Sequence, residues 1–233
     1  ESVATWNEFL YNIVMGNTPD LTEFEYNNDP SYTNIDYIST NEKKELTNNY
    51  KNKLENNLIP KIIHFIFFGF TEFEYIHYLA IKSAKFYNPE YTINLYYTKE
   101  QPNNIWWSNI QQYVTLVYTE PPEEIFNNKL SHYAHKADII RLQRLYELGG
   151  IYLDIDIITL KNYDYLLQSL VKHEDIIMGY QAKNTQFEGL CNAVICAKPK
   201  SEFINIWLNK YKNFNETEWD NHSVHLPLKL ANS

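Results

Sequence analysis

The sequence predicts an α/β protein built on a mainly parallel central sheet, preceded by a small helical N-terminal extension. Three observations carry that expectation. From residue 59 onward, apolar runs of strand length alternate with helix-periodic stretches. The first run, residues 61–68, is almost continuously apolar and aromatic between Pro60 and Gly69, as a strand buried on both faces must be. Residues 136–156 pass from an amphipathic helix through Gly149-Gly150 into a short apolar strand that ends in Asp154-Ile155-Asp156.

The elements follow in chain order. Residues 1–58 are polar and Asn-rich. Residues 5–14 read as a short helix and 41–58 as a second one, a hairpin-like extension separate from the domain at 59–233. After the strand at 61–68, helical spacing runs over 76–87 and stops at Asn88-Pro89. Residues 91–97 alternate as a second strand and 113–118 form a third. Pro121-Pro122 opens a short helix, and Ser131 caps a long helix over 132–148. A strand over 151–160 follows. Further strands cover 175–180 and 193–197, and a helix covers 201–214 after Pro199.

Composition narrows the function classes. The 233 residues carry a formal net charge of −9, the wrong sign for a general nucleic-acid binder. A nucleotide remains compatible, because a metal ion supplies positive charge locally. A chain of this size buries roughly three quarters of its unfolded surface without staples. Only two cysteines occur, Cys191 and Cys196, which excludes a disulfide framework and a zinc-type spacing. Five residues apart on one strand, they face opposite sides. No apolar run is long enough to span a bilayer, and no signal peptide opens the chain. The start at Glu1 reads as a piece of a longer protein, cytoplasmic or Golgi-lumenal.

The acids carry the chemistry. On a strand, residues i and i+2 share a face, so Asp154 and Asp156 are expected side by side. Neighbouring carboxylates repel unless a cation lies between them. Oxygen donors at this spacing suit Mg2+ or Mn2+, which keep open positions for phosphate. On the helix, Asp138 and Arg141 share a face, and the Gly-Gly link brings them to the sheet edge that carries the two acids. Glycine there also lets backbone approach a ligand closely. Trp106-Trp107 suits either a pocket wall or a core edge. The sequons at Asn215 and Asn221 fit an Asn-rich chain.

The segments Lys136-Ala-Asp-Ile-Ile-Arg141 and Leu145-Tyr-Glu-Leu-Gly-Gly-Ile-Tyr-Leu-Asp-Ile-Asp156 resemble the sugar-binding DXD region of glycosyltransferase family 32 and of the large clostridial toxin glycosyltransferase domains. Ile59-Pro-Lys-Ile-Ile-His-Phe-Ile-Phe-Phe-Gly69 resembles that family's first strand. The resemblance spans roughly residues 59–200 and implies a GT-A, Rossmann-like nucleotide-sugar-binding sandwich. By position, His64, Phe65 and Ile66 match residues lining the nucleotide base. Asp138 and Arg141 match contacts to the donor sugar, ribose or phosphates, with Gly150 and Tyr152 in the same motif. Asp154 falls nearest ribose and metal, and Asp156 matches the direct metal ligand. A third ligand is expected from Asp220, Asn221, His222 and His225, with His222 as the choice. Gln181, Glu188 and Asn192 fall on the acceptor side.

The implied activity is retaining transfer of a hexose from a UDP- or GDP-sugar to a hydroxyl of a glycan, lipid or protein, with Mn2+ or Mg2+ as cofactor. Two alternatives share the acids. One is a haloacid-dehalogenase-like phosphohydrolase, which also uses Asp-x-Asp after an apolar strand. The other is a non-catalytic nucleotide-sugar-binding scaffold.

Overall fold

The computed structural model describes residues 59–98, 101–168, 174–183 and 186–233. The expected helices within 1–58, and the boundary that separates them as an extension, lie outside the described residues. The first strand, β1 (Ile62–Phe67), is buried at every position after Ile62, which explains its unbroken apolar run. Helix α1 (Tyr75–Tyr87) returns the chain to β2 (Thr92–Tyr97). At its start the Glu74 N–H donates to His77 Nδ1 at 3.0 Å. At its end the Asn88 side chain donates to the Ala84 carbonyl at 3.0 Å and accepts from the Tyr163 N–H at 2.8 Å. Helix α2 (Ile105–Ile110), capped by Asn104, leads to β3 (Thr115–Tyr118).

Pro121-Pro122 opens no helix. The chain forms instead a hairpin of β4 (Glu124–Ile125) and β5 (Asn128–Lys129). Phe126 and Asn127, both at positive φ, make its turn in the sense that matches strand twist. The long helix α3 (Tyr133–Leu148) is capped by His132 rather than Ser131, the imidazole Nδ1 accepting from the Ala134 N–H at 3.2 Å. It closes on Gly149 at φ 65°.

Strand β6 (Gly150–Leu153) is much shorter than the expected 151–160. The Asp154 N–H makes a last ladder bond to the Ala193 carbonyl at 2.8 Å, and the Asp154 carbonyl then accepts from the Ile157 N–H at 3.0 Å. That turn sends Ile155 into the core and Asp156 to solvent. Helix α4 (Asp164–Gln168) follows.

Strands β7 (Ile176–Lys183) and β8 (Gln186–Ala197) pair antiparallel, and β8 extends well before the expected residue 193. Its first half lacks regular alternation because its register with β7 shifts between Met178 and Gly179 and again between Gln181 and Ala182. A side chain at Gly189 would run into the Val224 carbonyl. Helix α5 (Glu202–Lys210) is capped by Ser201 and tightens into a 3-10 turn at Tyr211–Asn213. A π-helical turn at Asn221–His225 and helix α6 (Leu226–Ala231) end the chain.

The sheet order is β3-β2-β1-β6-β8-β7. Strands β3, β2, β1 and β6 are parallel, and β8 joins β6 antiparallel. Helices α1 and α2 cover one face, with Ile63, Phe65, Leu95 and Trp107 in that core. Helices α3 and α5 cover the other, with Ile66, Tyr96, Leu145, Tyr152 and Trp207. Cys191 and Cys196 both lie on β8 as free thiols, and burial pushes the Cys196 thiol up to about 12. Among the described residues no helix is long and apolar enough to cross a membrane.

Candidate functional site

Strands β1 and β6 lie side by side and parallel, but the chain leaves β1 toward β2 on one flank and reaches β6 from the other. Their carboxyl ends therefore flank a switch in strand order, the place where open α/β sheets hold ligands. Phe67 ends one strand, and the chain turns at Gly69, which is at φ 76° and pressed against the Tyr133 ring. Leu153 ends the other, followed by Asp154 and Asp156.

Five side chains converge beside Leu153. Arg141 pairs with Asp138 at 3.1 Å and with Asp154 at 3.3 Å, so one guanidinium bridges two carboxylates. It also donates to the Asn192 carbonyl at 2.6 Å and lies 4.4 Å over the Tyr152 ring. The Asn192 amide donates to Asp138 at 3.0 Å, and the Tyr152 hydroxyl donates to Asp154 at 2.7 Å. Helix α3 supplies Asp138 and Arg141, β6 supplies Tyr152, and β8 supplies Asn192. Burial pushes the Asp138 carboxyl up to about 6 against the pull of Arg141 and His135. Burial works against the Arg141 charge too, yet Tyr152, Asp138 and Asp154 hold its pKa above the ordinary value. Burial drives the Tyr152 phenol far above its usual range. The guanidinium is therefore a fixed charge, locked in one orientation.

Asp154 and Asp156 do not share a strand face. Asp154 is about one third exposed and turned to Arg141, whereas Asp156 stands exposed in the turn. Burial lowers the His77 pKa, and Glu74 and Asp156 pull it back up, which places Asp156 within electrostatic reach of that imidazole. His77 packs with Phe67, Phe73 and the exposed Phe70, whose ring stacks on Phe67 at 5.2 Å. The carboxyl end of β6 thus carries an ionic cluster, and the carboxyl end of β1 an aromatic one. No spacing rule in the sequence pointed to His77 or Phe70. The glycine turn after a buried strand was the one signal available.

Other expected site residues fall elsewhere. His64, Phe65 and Ile66 are buried within β1. Both His64 ring nitrogens are engaged, one at 2.9 Å from the Tyr96 hydroxyl and one at 2.8 Å from the Gly149 carbonyl, and burial lowers its pKa to about 4. Gly150 does permit a close approach, but to β1: a side chain there would meet the Ile62 carbonyl and the His64 ring. It sits at the amino end of β6, about 13 Å from Asp154 at strand rise. Trp107 is core, and Trp106 packs on Tyr75 and Tyr78. His222 is buried between Tyr211 and Phe214. His225 pairs with Asp220 at 3.5 Å. Among the described residues no three His, Cys, Asp or Glu side chains gather as a metal site, so His222 does not complete one with the two acids. Asn192 belongs to the ionic cluster, while Gln181 and Glu188 lie on the hairpin strands.

A cation would find at this turn an exposed carboxylate at Asp156 and a partly exposed one at Asp154. That donor set fits a hard divalent ion that takes its remaining ligands from phosphate oxygens and water.

Residues 75–177 match the family model described as the glycosyltransferase sugar-binding region containing a DXD motif. Glucan organizing enzyme 1 of Cryptococcus neoformans var. grubii serotype A is 37% identical over 193 residues, covering 77% of this chain and 51% of that protein. An uncharacterized protein of Arabidopsis thaliana is 35% identical over 77 residues, 33% of this chain and 11% of that one. The chain thus spans about half the length of the first relative and about a tenth of the second. Among solved structures, PaToxG glycosyltransferase matches with a TM-score of 0.53 at 20% identity, covering 80% of this chain and 76% of that one.

Proposed function

We propose, for a chain that carries the DXD-containing sugar-binding region of glycosyltransferases on a GT-A fold, that it transfers a hexose from a UDP- or GDP-sugar to a hydroxyl acceptor with retention of configuration. The observation that carries this reading is the placement of the ionic cluster and Asp156 together at the strand-order switch between β1 and β6.

Arg141, fixed by Asp138, Asp154 and Tyr152, presents a permanent positive charge to the phosphates or sugar hydroxyls of a donor. Asp138 and Asn192 hold that charge in register. Asp154 and Asp156 would hold Mn2+ or Mg2+, which supplies Lewis acidity to the departing nucleoside diphosphate. The exposed Phe70 offers an aromatic face beyond the carboxyl end of β1. The acceptor oxygen bonds to the anomeric carbon as the sugar–phosphate bond breaks on the same face. The acceptor proton passes to the released phosphate. No protein nucleophile is needed, so the side chains act through charge and position.

The Cryptococcus relative's name favours a glucan as product or acceptor, with lipid and protein hydroxyls as the other classes. The family match leaves the phosphohydrolase reading without an observation in its favour. A scaffold would keep the same pocket but turn nothing over. Slow donor hydrolysis separates the two. With Mn2+, the wild-type chain releases nucleoside diphosphate from its donor, and Asp156→Ala releases at least a hundredfold less. No release by the wild type from any UDP- or GDP-hexose refutes the enzymatic reading.

A further inference from the structure

Five buried side-chain atoms among the described residues lack a hydrogen-bond partner; three of them belong to rings that pack against Phe214, and a fourth belongs to Arg141 of the ionic cluster. These four are His135 Nδ1, Arg141 Nε, Tyr211 Oη and His222 Nδ1. Their residues are 3%, 6%, 0% and 7% exposed. The grouping is physical. The His222 ring lies 5.2 Å from Tyr211 and from Phe214, and His135 lies 5.1 Å from Phe214. The Tyr211 phenol feels both Asp138 and Arg141, Asp138 feels His135, and His222 feels His135.

The unpaired atoms are also complementary in kind. The His135 Nε2–H donates to the Trp219 carbonyl at 3.3 Å, so its Nδ1 is an acceptor. Burial lowers the His222 pKa and so favours the neutral ring, whose Nδ1 donates or accepts according to its tautomer. Arg141 Nε–H is a donor, and the phenol is both. A buried polar group left without a partner costs about 1–3 kcal/mol, and four among shared neighbours need a common explanation. Water, with two donors and two acceptors, answers this set, whereas a cation fits neither Arg141 nor the absence of a three-ligand group.

We infer that His135, Tyr211 and His222 enclose an internal hydration site behind the Asp138–Arg141 pair, and that Tyr211 is a positioning residue whose hydroxyl, through that water, holds Arg141 in its donor-binding orientation. The inference deepens the proposed function and rests on it for the donor, but the water itself does not depend on that reading.

The test has two arms. A crystal structure of the full chain at about 1.5 Å shows ordered water on the Tyr211 hydroxyl and on at least one of the two imidazole Nδ1 atoms; a dry cluster overturns the inference. Tyr211→Phe keeps the ring and removes one hydroxyl. It weakens donor binding about fivefold, the scale of one lost hydrogen bond, with kcat nearly unchanged and no loss of melting temperature. Unchanged donor affinity overturns the positioning role. His135→Leu weakens binding similarly, and His135→Asn, which returns an acceptor at the Nδ1 position, recovers it. Tyr91→Phe serves as the contrast: its hydroxyl donates to Asp164 at 2.7 Å far from the cluster, so its loss lowers stability and leaves donor binding alone. If the wild type binds no nucleotide sugar, the proposed function falls, and the crystallographic arm alone decides the inference.

Discussion

The two ends of the β1–β6 pair use similar residues to opposite effect. At the amino end, His64 sits between Tyr96 and Gly149 with both ring nitrogens engaged. Gly149 and Gly150 are there because Pro60, Pro199 and Ile62 leave no room for a side chain. The His64 imidazole closes on the Tyr96 hydroxyl and the Gly149 carbonyl, and among the described residues the buried atom left unpaired near them is Arg144 Nε, whose guanidinium lies over the Tyr96 ring. At the carboxyl end, Asp156 is exposed, Asp154 is partly exposed, and His135, Tyr211 and His222 leave polar atoms unpaired. A histidine or a glycine in a motif is therefore no evidence of a ligand by itself. What separates structure from site is whether its hydrogen-bonding and steric capacity is already used up.

The sharpest way to break the contrast is Arg141→Met. It strands the buried Asp138 carboxylate, so it costs about 3–5 kcal/mol of stability in urea unfolding and abolishes donor binding in whatever fraction folds. A loss below 1 kcal/mol would mean that the carboxyl end is as self-contained as the amino end. Next in size is an acid sensitivity that belongs to the amino end. The unfolded chain protonates His64 near its ordinary pKa of 6.5, while the folded chain refuses that proton until about pH 4. Stability from this residue is thus full above pH 6.5 and falls by about 3 kcal/mol as pH drops to 4. Urea unfolding at pH 7, 5.5 and 4.5 should show that slope, and His64→Gln should flatten it. Gly150→Ala is the smallest. At φ 103°, and with the Ile62 carbonyl in the way, it costs about 2 kcal/mol. Donor affinity of the folded variant should stay unchanged, since its space is filled by β1 rather than by a ligand.

Much of the fold was legible from residue pattern. The unbroken apolar run of β1, the stop at Asn88-Pro89 and the Gly149 helix end each follow from local chemistry that the structure repeats. The Arg141 link to the strand-end acids was legible as well, because helical spacing and a short connection bring it there. The turn after Leu153 was not. Ile157, Ile158 and Leu160 read as more strand, yet Leu160 is exposed and the backbone has left the sheet. Apolar residues do not reveal where a ladder loses its partner. The β7–β8 hairpin was cut short for a related reason: the early half of β8 pairs with β7 through a bulge at Glu188, so it lacks an alternating face. Nor could spacing reveal that Tyr211, 70 positions after Arg141, shares its surroundings, since only the chain's return through α5 brings them together.

The most direct test of the whole account is calorimetric titration of Mn2+ into the chain in the presence of the nucleoside diphosphate it binds, for the wild type and for Asp156→Asn. The account predicts that the metal and the nucleotide each tighten the other's binding in the wild type by at least tenfold. Removal of the one exposed carboxylate at the turn should erase that coupling at unchanged melting temperature. Equal coupling in both proteins would contradict it, because the charge that gathers the metal would then lie somewhere other than the end of β6.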